Sequence, residues 1–226
     1  MKDLVLKWIC LAIPAVMGVG CEGEEARSRP VYQPRALEPV EVNQYQGEKL
    51  SSWQEFRENS IKGPQHINLT DYSLEITGYV NNPGSFSYQE LVEREKFKKI
   101  VALNCVEGWS VKILWEGILV RELLDEAGVD NRAQYVVFYG HDGYSTFFTL
   151  NYIMDNDILM AYKMNDIILP PERGFPFALV AEQKWGYKWI KWITRIELSD
   201  NIDGKGFWEN YGYSVDGDLD KPFFRQ

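Results

Sequence analysis

The chain has 226 residues, 45% of them hydrophobic, and a formal net charge of -9. Its acidity argues against a nucleic acid or an anionic membrane surface as partner. With only His66 and His141 as histidines, a histidine-rich metal centre is excluded.

Lys2 and Lys7 precede an apolar run from Trp8 through Val19, and Gly18 and Gly20 stand before Cys21, so residues 1–21 read as an export signal. The run falls short of the roughly 20 residues a spanning helix needs, and Pro14 interrupts it. Cys21, followed by the polar stretch Glu22 to Glu25, predicts a bacterial lipoprotein acylated at that cysteine. Gly18 and Val19 depart from the usual lipobox, which leaves plain secretion open. The protein is therefore expected to be exported, and to be periplasmic or held at the membrane only through a lipid anchor; one acyl chain holds marginally. Loss of the first 20 residues, with Lys2, Lys7 and Asp3, takes the formal charge from -9 to -10.

Residues 22–48, rich in Glu, Arg, Pro and Gln, read as a tether, and residues 49–226 as one domain by size. Cys105 is the one cysteine of that domain, so no intrachain disulfide forms there. A lone thiol in an exported protein is prone to oxidation. It is either kept for chemistry or buried as a small apolar residue.

Leu74 to Val80 alternates apolar and polar residues as a half-buried strand, ended by Asn81, Asn82, Pro83 and Gly84. Ser87 and Glu90 form a capping box for a helix predicted to run to about Lys98. Ile100 to Leu103 is a buried strand that delivers the polar loop Asn104 to Ser110, the kind of place where chemistry sits. A helix over Val120 to Ala127 follows, with Gly128 as its C-terminal cap. Tyr135 to Tyr139 and Tyr144 to Leu150 are strands flanking the turn Gly140 to Gly143. Asp157 to Met164 and Ile167 to Leu169 form a hairpin closed by Asn165 and Asp166. Phe177 to Ala181 and Trp192 to Leu198 complete a mixed α+β set of strands with short helices.

The stretch LNCVEGWSVKILW, Leu103 to Trp115, with Glu116 to Leu119, resembles the signature loop of the sulfite oxidase family, in the branch that holds the catalytic subunit of periplasmic methionine sulfoxide reductase. Lys184, Trp185, Gly186, Tyr187, Lys188, Trp189, Ile190, Lys191 and Trp192 resemble the family's pterin-wrapping segment, and Gly206, Phe207, Trp208 and Tyr211 its aromatic C-terminal segment. The resemblance implies a sulfite oxidase-like molybdopterin-binding fold, a molybdenum-molybdopterin cofactor, and Cys105 as thiolate ligand of the metal. A soft thiolate suits that metal, and one suffices beside a pterin dithiolene. Lys184, Lys188 and Lys191 around Gly186, with Tyr187, Trp189 and Ile190, are then expected to hold the pterin; a solvated lysine edge is the plainer alternative. Asn59 and Ser60, after Phe56, Arg57 and Glu58, are expected contacts from the N-terminal side, or else a cap before Lys62, Gly63 and Pro64.

Several positions depart from the family. The arginine expected two residues after the proline of the Gly-x-Pro segment is replaced by Ala178, with Arg173 the neighbour able to stand in. Glu107 and Gly108 hold the place of a sulfite-binding arginine, so a neutral sulfoxide or N-oxide, small or protein-bound, is expected in preference to a dianion. Glu107, His141 and Tyr187 are candidates on the substrate side, His141 as a turn residue. The signal lacks a twin arginine. Either the true start lies upstream, or another route is used, or the chain is exported without cofactor as a surface lipoprotein using the fold as a binding module. With no haem-attachment motif, electrons are expected from a separate haem- or quinone-linked partner.

Overall fold

The structure, a computed structural model, describes residues 40–225; the expected signal, Cys21 and residues 22–39 of the expected tether lie outside them. Residues 40–48 belong to the folded domain. Strands β1 (Gln44–Tyr45) and β2 (Glu48–Lys49) pair as a hairpin. Val42 N–H donates to the Asn165 carbonyl at 3.0 Å, and the Glu41 carboxylate accepts from Ser52 Oγ, Trp53 N–H and Asn165 Nδ2 at 2.6–2.8 Å. Residues 41–48, read from the sequence as tether, are thus part of the domain, because a carboxylate with three donors is a folded anchor.

Two five-stranded sheets form the domain. In the first, β5 (Phe97–Asn104), β6 (Ser110–Leu119), β9 (Leu159–Met164) and β10 (Ile167–Ile168) follow one another in antiparallel order, and β11 (Ala178–Val180) also pairs with β9. Sequence reading missed β6. Its residues alternate in burial only at Ser110–Lys112, and all of Ile113 to Leu119 are buried, so the strand has no period-two pattern to read. Gly117 is required there by space: a Cβ would stand 2.3 Å from the Met160 carbonyl of β9.

The second sheet has the order β4 (Gly84–Phe86), β3 (Leu74–Gly78), β12 (Ile193–Ser199), β7 (Tyr135–Gly140) and β8 (Ser145–Thr149). The β3–β12 pair is parallel and the others are antiparallel. Helix α1 (Tyr88–Val92) carries the expected capping box but ends at Val92. Phe97 to Lys99 are taken by pairing with Trp115 to Gly117, a tertiary demand that overrides the helical reading. Helix α2 (Val120–Ala127) buries Val120, Leu123, Leu124 and Ala127 and ends at Gly128, as read from the sequence. Leu150, expected at the end of a strand, instead opens α3 (Leu150–Asp155), whose N-cap is Thr149. Among the described residues no helix is long and apolar enough to cross a membrane.

Glu116 of β6 is nearly buried and accepts from Tyr162 OH at 2.9 Å and Lys163 Nζ at 3.1 Å, with Lys98 Nζ 3.2 Å from its other oxygen. Burial by itself raises its pKa, but the donors outweigh burial and hold it below the usual 4.5. A depressed folded pKa gives stability that is present above the unfolded value and is lost as pH falls through the folded one. Glu116→Gln is expected to cost about 1–2 kcal/mol at neutral pH. It should also flatten the acid-side loss of stability below about pH 5, read by denaturant melts across pH.

Candidate active site

Cys105 opens the five-residue loop that joins β5 to β6. Its N–H donates to the Trp109 carbonyl at 2.9 Å, and Gly108 N–H returns to the Cys105 carbonyl at 3.0 Å. Gly108 sits at φ 85°, the left-handed conformation that lets so short a loop close. The loop presents Cys105 to a cleft of about 560 Å³. Asn59, 46 residues earlier in the chain, brings its side-chain Nδ2 to 3.8 Å from Sγ. Burial pushes the Cys105 thiol up and the Glu107 charge adds to that, while backbone N–H groups of Glu107 and Val106 and the Asn59 amide act in the opposite sense. The Glu107 carboxyl is held down by Asn59 and by Trp109, whose Nε1 donates at 3.1 Å, so it is ionised at neutral pH.

The opposite approach to Cys105 is made by Gly186. A Cβ there would lie 3.3 Å from the Asn104 carbonyl and 3.4 Å from Cys105 Cα, so a side chain would fill the space against the thiol loop. Tyr187, Trp189 and Lys191 line the cleft with it. The Tyr187 hydroxyl donates to the Ser214 carbonyl at 2.7 Å and burial pushes its pKa well up. It is a neutral, committed donor whose ring forms the wall, so the expected substrate-side role of its hydroxyl is not what this geometry presents. Lys191 Nζ contacts the Glu58 carboxylate at 2.8 and 3.0 Å and the Glu172 carbonyl at 3.1 Å. Arg173 donates to the carbonyls of Trp53 and Phe56 at 3.1 Å, with one guanidinium nitrogen 3.8 Å from Glu58. Arg173 and Lys191 thus both stand in the cleft wall, and the cation missing at Ala178 has a neighbour in its place.

Three of the expected pterin contacts do not face this cleft. The Lys184 ammonium is paired with Asp218 and lies over the Tyr152 ring. Lys188 is fully buried, and its three ammonium donors go to the Phe147 carbonyl, Glu209 Oε1 and the Val215 carbonyl at 2.6, 2.6 and 3.0 Å. An ammonium has three donors, so none is left for a ligand. Ile190 is core and touches only a small neighbouring cavity. The segment runs through a 3-10 turn, Gly186–Lys188, so its side chains do not share one face. His141 lies on the exposed turn, where His66 joins it in a separate cavity. Sequence reading left Trp115 and Tyr213 without a site role, and gave Phe207 and Trp208 only a place in a segment; all four line the cleft. Trp115 sits on the strand that went unread.

Asn59 and Ser60 do reach the cleft. Ser60 Oγ is buried there without a hydrogen-bond partner, an arrangement that proteins rarely leave standing. One soft sulfur donor, an orphaned hydroxyl, a glycine-made gap and two wall cations fit a bulky organic cofactor that carries a soft metal and a phosphate. Among the described residues no group of three or more His, Cys, Asp or Glu is placed to hold a metal unaided. Fold and site together define a domain of two five-stranded sheets with one cysteine at the wall of a cleft of about 560 Å³.

A family profile described as the oxidoreductase molybdopterin binding domain matches residues 61–208, and the chain belongs to this family, the sulfite oxidase-like molybdopterin enzymes. The oxidoreductase YuiH of Bacillus subtilis (strain 168) is 30% identical over 69% of this chain and 78% of its own length. The protein-methionine-sulfoxide reductase catalytic subunit MsrP of Campylobacter jejuni is 28% identical over 71% of the chain and 60% of its own length. The chain thus spans less than two thirds of that relative. The sulfane dehydrogenase SoxCD of Paracoccus pantotrophus has a related fold, with a TM-score of 0.59 at 23% identity, over 62% of this chain and 41% of that one. The fold is sulfite oxidase-like, the protein is an enzyme, and its cofactor is molybdenum-molybdopterin.

Proposed function

We propose that this protein is an exported reductase of sulfoxides or N-oxides in which Cys105 ligates the molybdenum. The observation that carries the reading is Cys105 at the wall of the cleft with the orphaned Ser60 hydroxyl and the Gly186 gap beside it. When bound, the cofactor supplies oxygen-atom transfer coupled to electron exchange. Cys105 provides the soft ligand and Asn59 holds its sulfur in place. Ser60 would offer a donor and acceptor to the pterin and Tyr187 and Trp189 would pack against it, while Lys191 and Arg173, turned to Glu58 and to backbone carbonyls, would add net positive charge to the wall beside it. Glu107 keeps an ionised carboxylate at the loop and disfavours dianions, leaving neutral oxo groups, small or protein-bound, as substrates. Similarity to the Campylobacter protein-methionine-sulfoxide reductase catalytic subunit supports the same class. Electrons come from a separate haem- or quinone-linked partner, and the protein is periplasmic or lipid-anchored through Cys21. Family membership and the fitted cleft favour this enzyme over a cofactor-free binding module.

The test is molybdenum and pterin content of protein purified from its own cell envelope, with reduction of a sulfoxide and N-oxide panel by a reduced dye. Near-stoichiometric metal and turnover of neutral oxo compounds are expected; absence of pterin overturns the reading. Glu107→Gln gives a sharper result. A pair of unit charges at 4 Å in water is worth about 1 kcal/mol and a dianion doubles it, so inhibition by sulfite-like dianions should tighten by up to roughly 30-fold while KM for a neutral sulfoxide stays put. Equal shifts for both would remove Glu107 from the account of selectivity.

A further inference from the structure

After β12 the chain turns back, and residues 206–225 run along the 183–188 segment as a strap. Phe207 N–H donates to the Ser145 carbonyl, Trp185 N–H to the Gly217 carbonyl and Leu219 N–H to the Gln183 carbonyl, at 2.8–3.0 Å. The strap brings Phe207, Trp208 and Tyr213 into the cleft wall, with the Tyr213 ring 5.0 Å from Tyr187 and 5.3 Å from Trp208. Within the cleft wall, the Tyr187 hydroxyl holds the Ser214 carbonyl of the strap at 2.7 Å.

The most deeply buried fixing point is the pair Lys188–Glu209, with side-chain exposures of 0% and 1%. Two of the three Lys188 donors go to the strap, at Glu209 and Val215, and the third goes to Phe147 of β8. Thr146 Oγ adds a bond to the same Glu209 oxygen at 2.7 Å. The strap's glycines are cut to fit: a Cβ at Gly217 would meet Lys188 Cγ at 2.6 Å, and one at Gly206 would meet Glu209 Oε2 at 2.7 Å. Buried ion pairs add little stability over an apolar pair of the same shape, but a set of directed bonds selects one register.

We propose that Lys188 and Glu209 are positioning residues for the cofactor: they lock the C-terminal strap so that Phe207, Trp208, Tyr213 and Tyr187 form the cleft wall, and cofactor retention depends on that lock and not on a contact from Lys188. The inference rests on the molybdopterin reading above. It assigns to the strap a part of the site that the thiol loop and the lysine block do not supply.

The test compares Lys188→Met, Glu209→Leu and the double variant, as full-length chains purified with cofactor. Molybdenum and pterin per chain are measured beside the rate of limited proteolysis within residues 206–225. Each single variant is expected to lose several-fold in cofactor content and to be cut faster in the strap. The double variant, with an apolar pair in place of the ion pair, is expected to recover both. A double variant whose strap is protected but which stays empty would mean that Lys188 touches the cofactor, and would overturn the proposal. So would single variants with a freely cut strap and full cofactor. If the single variants do not fold, Thr146→Val, which removes one bond to Glu209, carries the same expectation in smaller measure. A wild-type chain without pterin fails the oxidoreductase reading first; a loaded wild type with unchanged single variants fails only this one.

Discussion

Cys105→Ser is expected to fold as the wild type does and to lose oxidoreductase turnover by more than about 100-fold, the upper end of what loss of a mere supporting contact around a metal costs. The side chain is nearly buried and the replacement is close in shape, so the loop bonds between Cys105, Gly108 and Trp109 persist. A serine hydroxyl stays protonated at neutral pH and is a hard donor where a soft thiolate is wanted. Pterin binding should survive in part, because Ser60, Gly186, Lys191 and Arg173 are untouched, while the metal content or its spectrum changes. Wild-type turnover in the variant, measured with a reduced dye and a neutral sulfoxide, would remove Cys105 from the reaction.

The second large effect is on stability. Lys188→Met leaves the Glu209 carboxylate buried without a cation, with its Oε2 already lacking a partner. Breaking a buried pair from one side costs about 3–5 kcal/mol, which for a domain of this size lowers Tm by roughly 10 °C. Burial holds the Lys188 pKa below its usual value against the pull of Glu209, so the ion pair is also the more easily lost as pH rises. Lys191→Met makes the contrast. Its ammonium is partly open to the cleft and shares Glu58 with Arg173, so the loss should fall on cofactor content more than on Tm. Thermal melts of the two variants separate the roles, and equal Tm losses would count against the distinction.

The family motif was legible because its chemistry is local. The loop from Asn104 to Ser110 needs a cysteine, a left-handed glycine and a tryptophan within five residues, and the hairpin between β5 and β6 presents them as read. The capping box at Ser87 and Glu90, the cap at Gly128 and the turn at Asn165 and Asp166, both at positive φ, are likewise short-range facts. The lysine block was legible as a motif and misread in detail. Three lysines within eight residues suggest one cationic surface, yet the 3-10 turn at Gly186–Lys188 sends Lys184 to Asp218, Lys188 into the core and only Lys191 to the cleft.

The amino-acid sequence by itself thus determined the α+β class, the α2 helix and the thiol loop with Cys105 and Glu107, since each rests on residues close together in the chain. Tertiary structure alone decided the parallel pairing of β3 with β12, the approach of Asn59 to Cys105, the sharing of Glu58 by Lys191 and Arg173, and the closing of the site by the C-terminal strap. These join residues 21 to 133 positions apart, and no periodicity or cap encodes them. They follow from which buried donors and carboxylates find partners once the two sheets have packed.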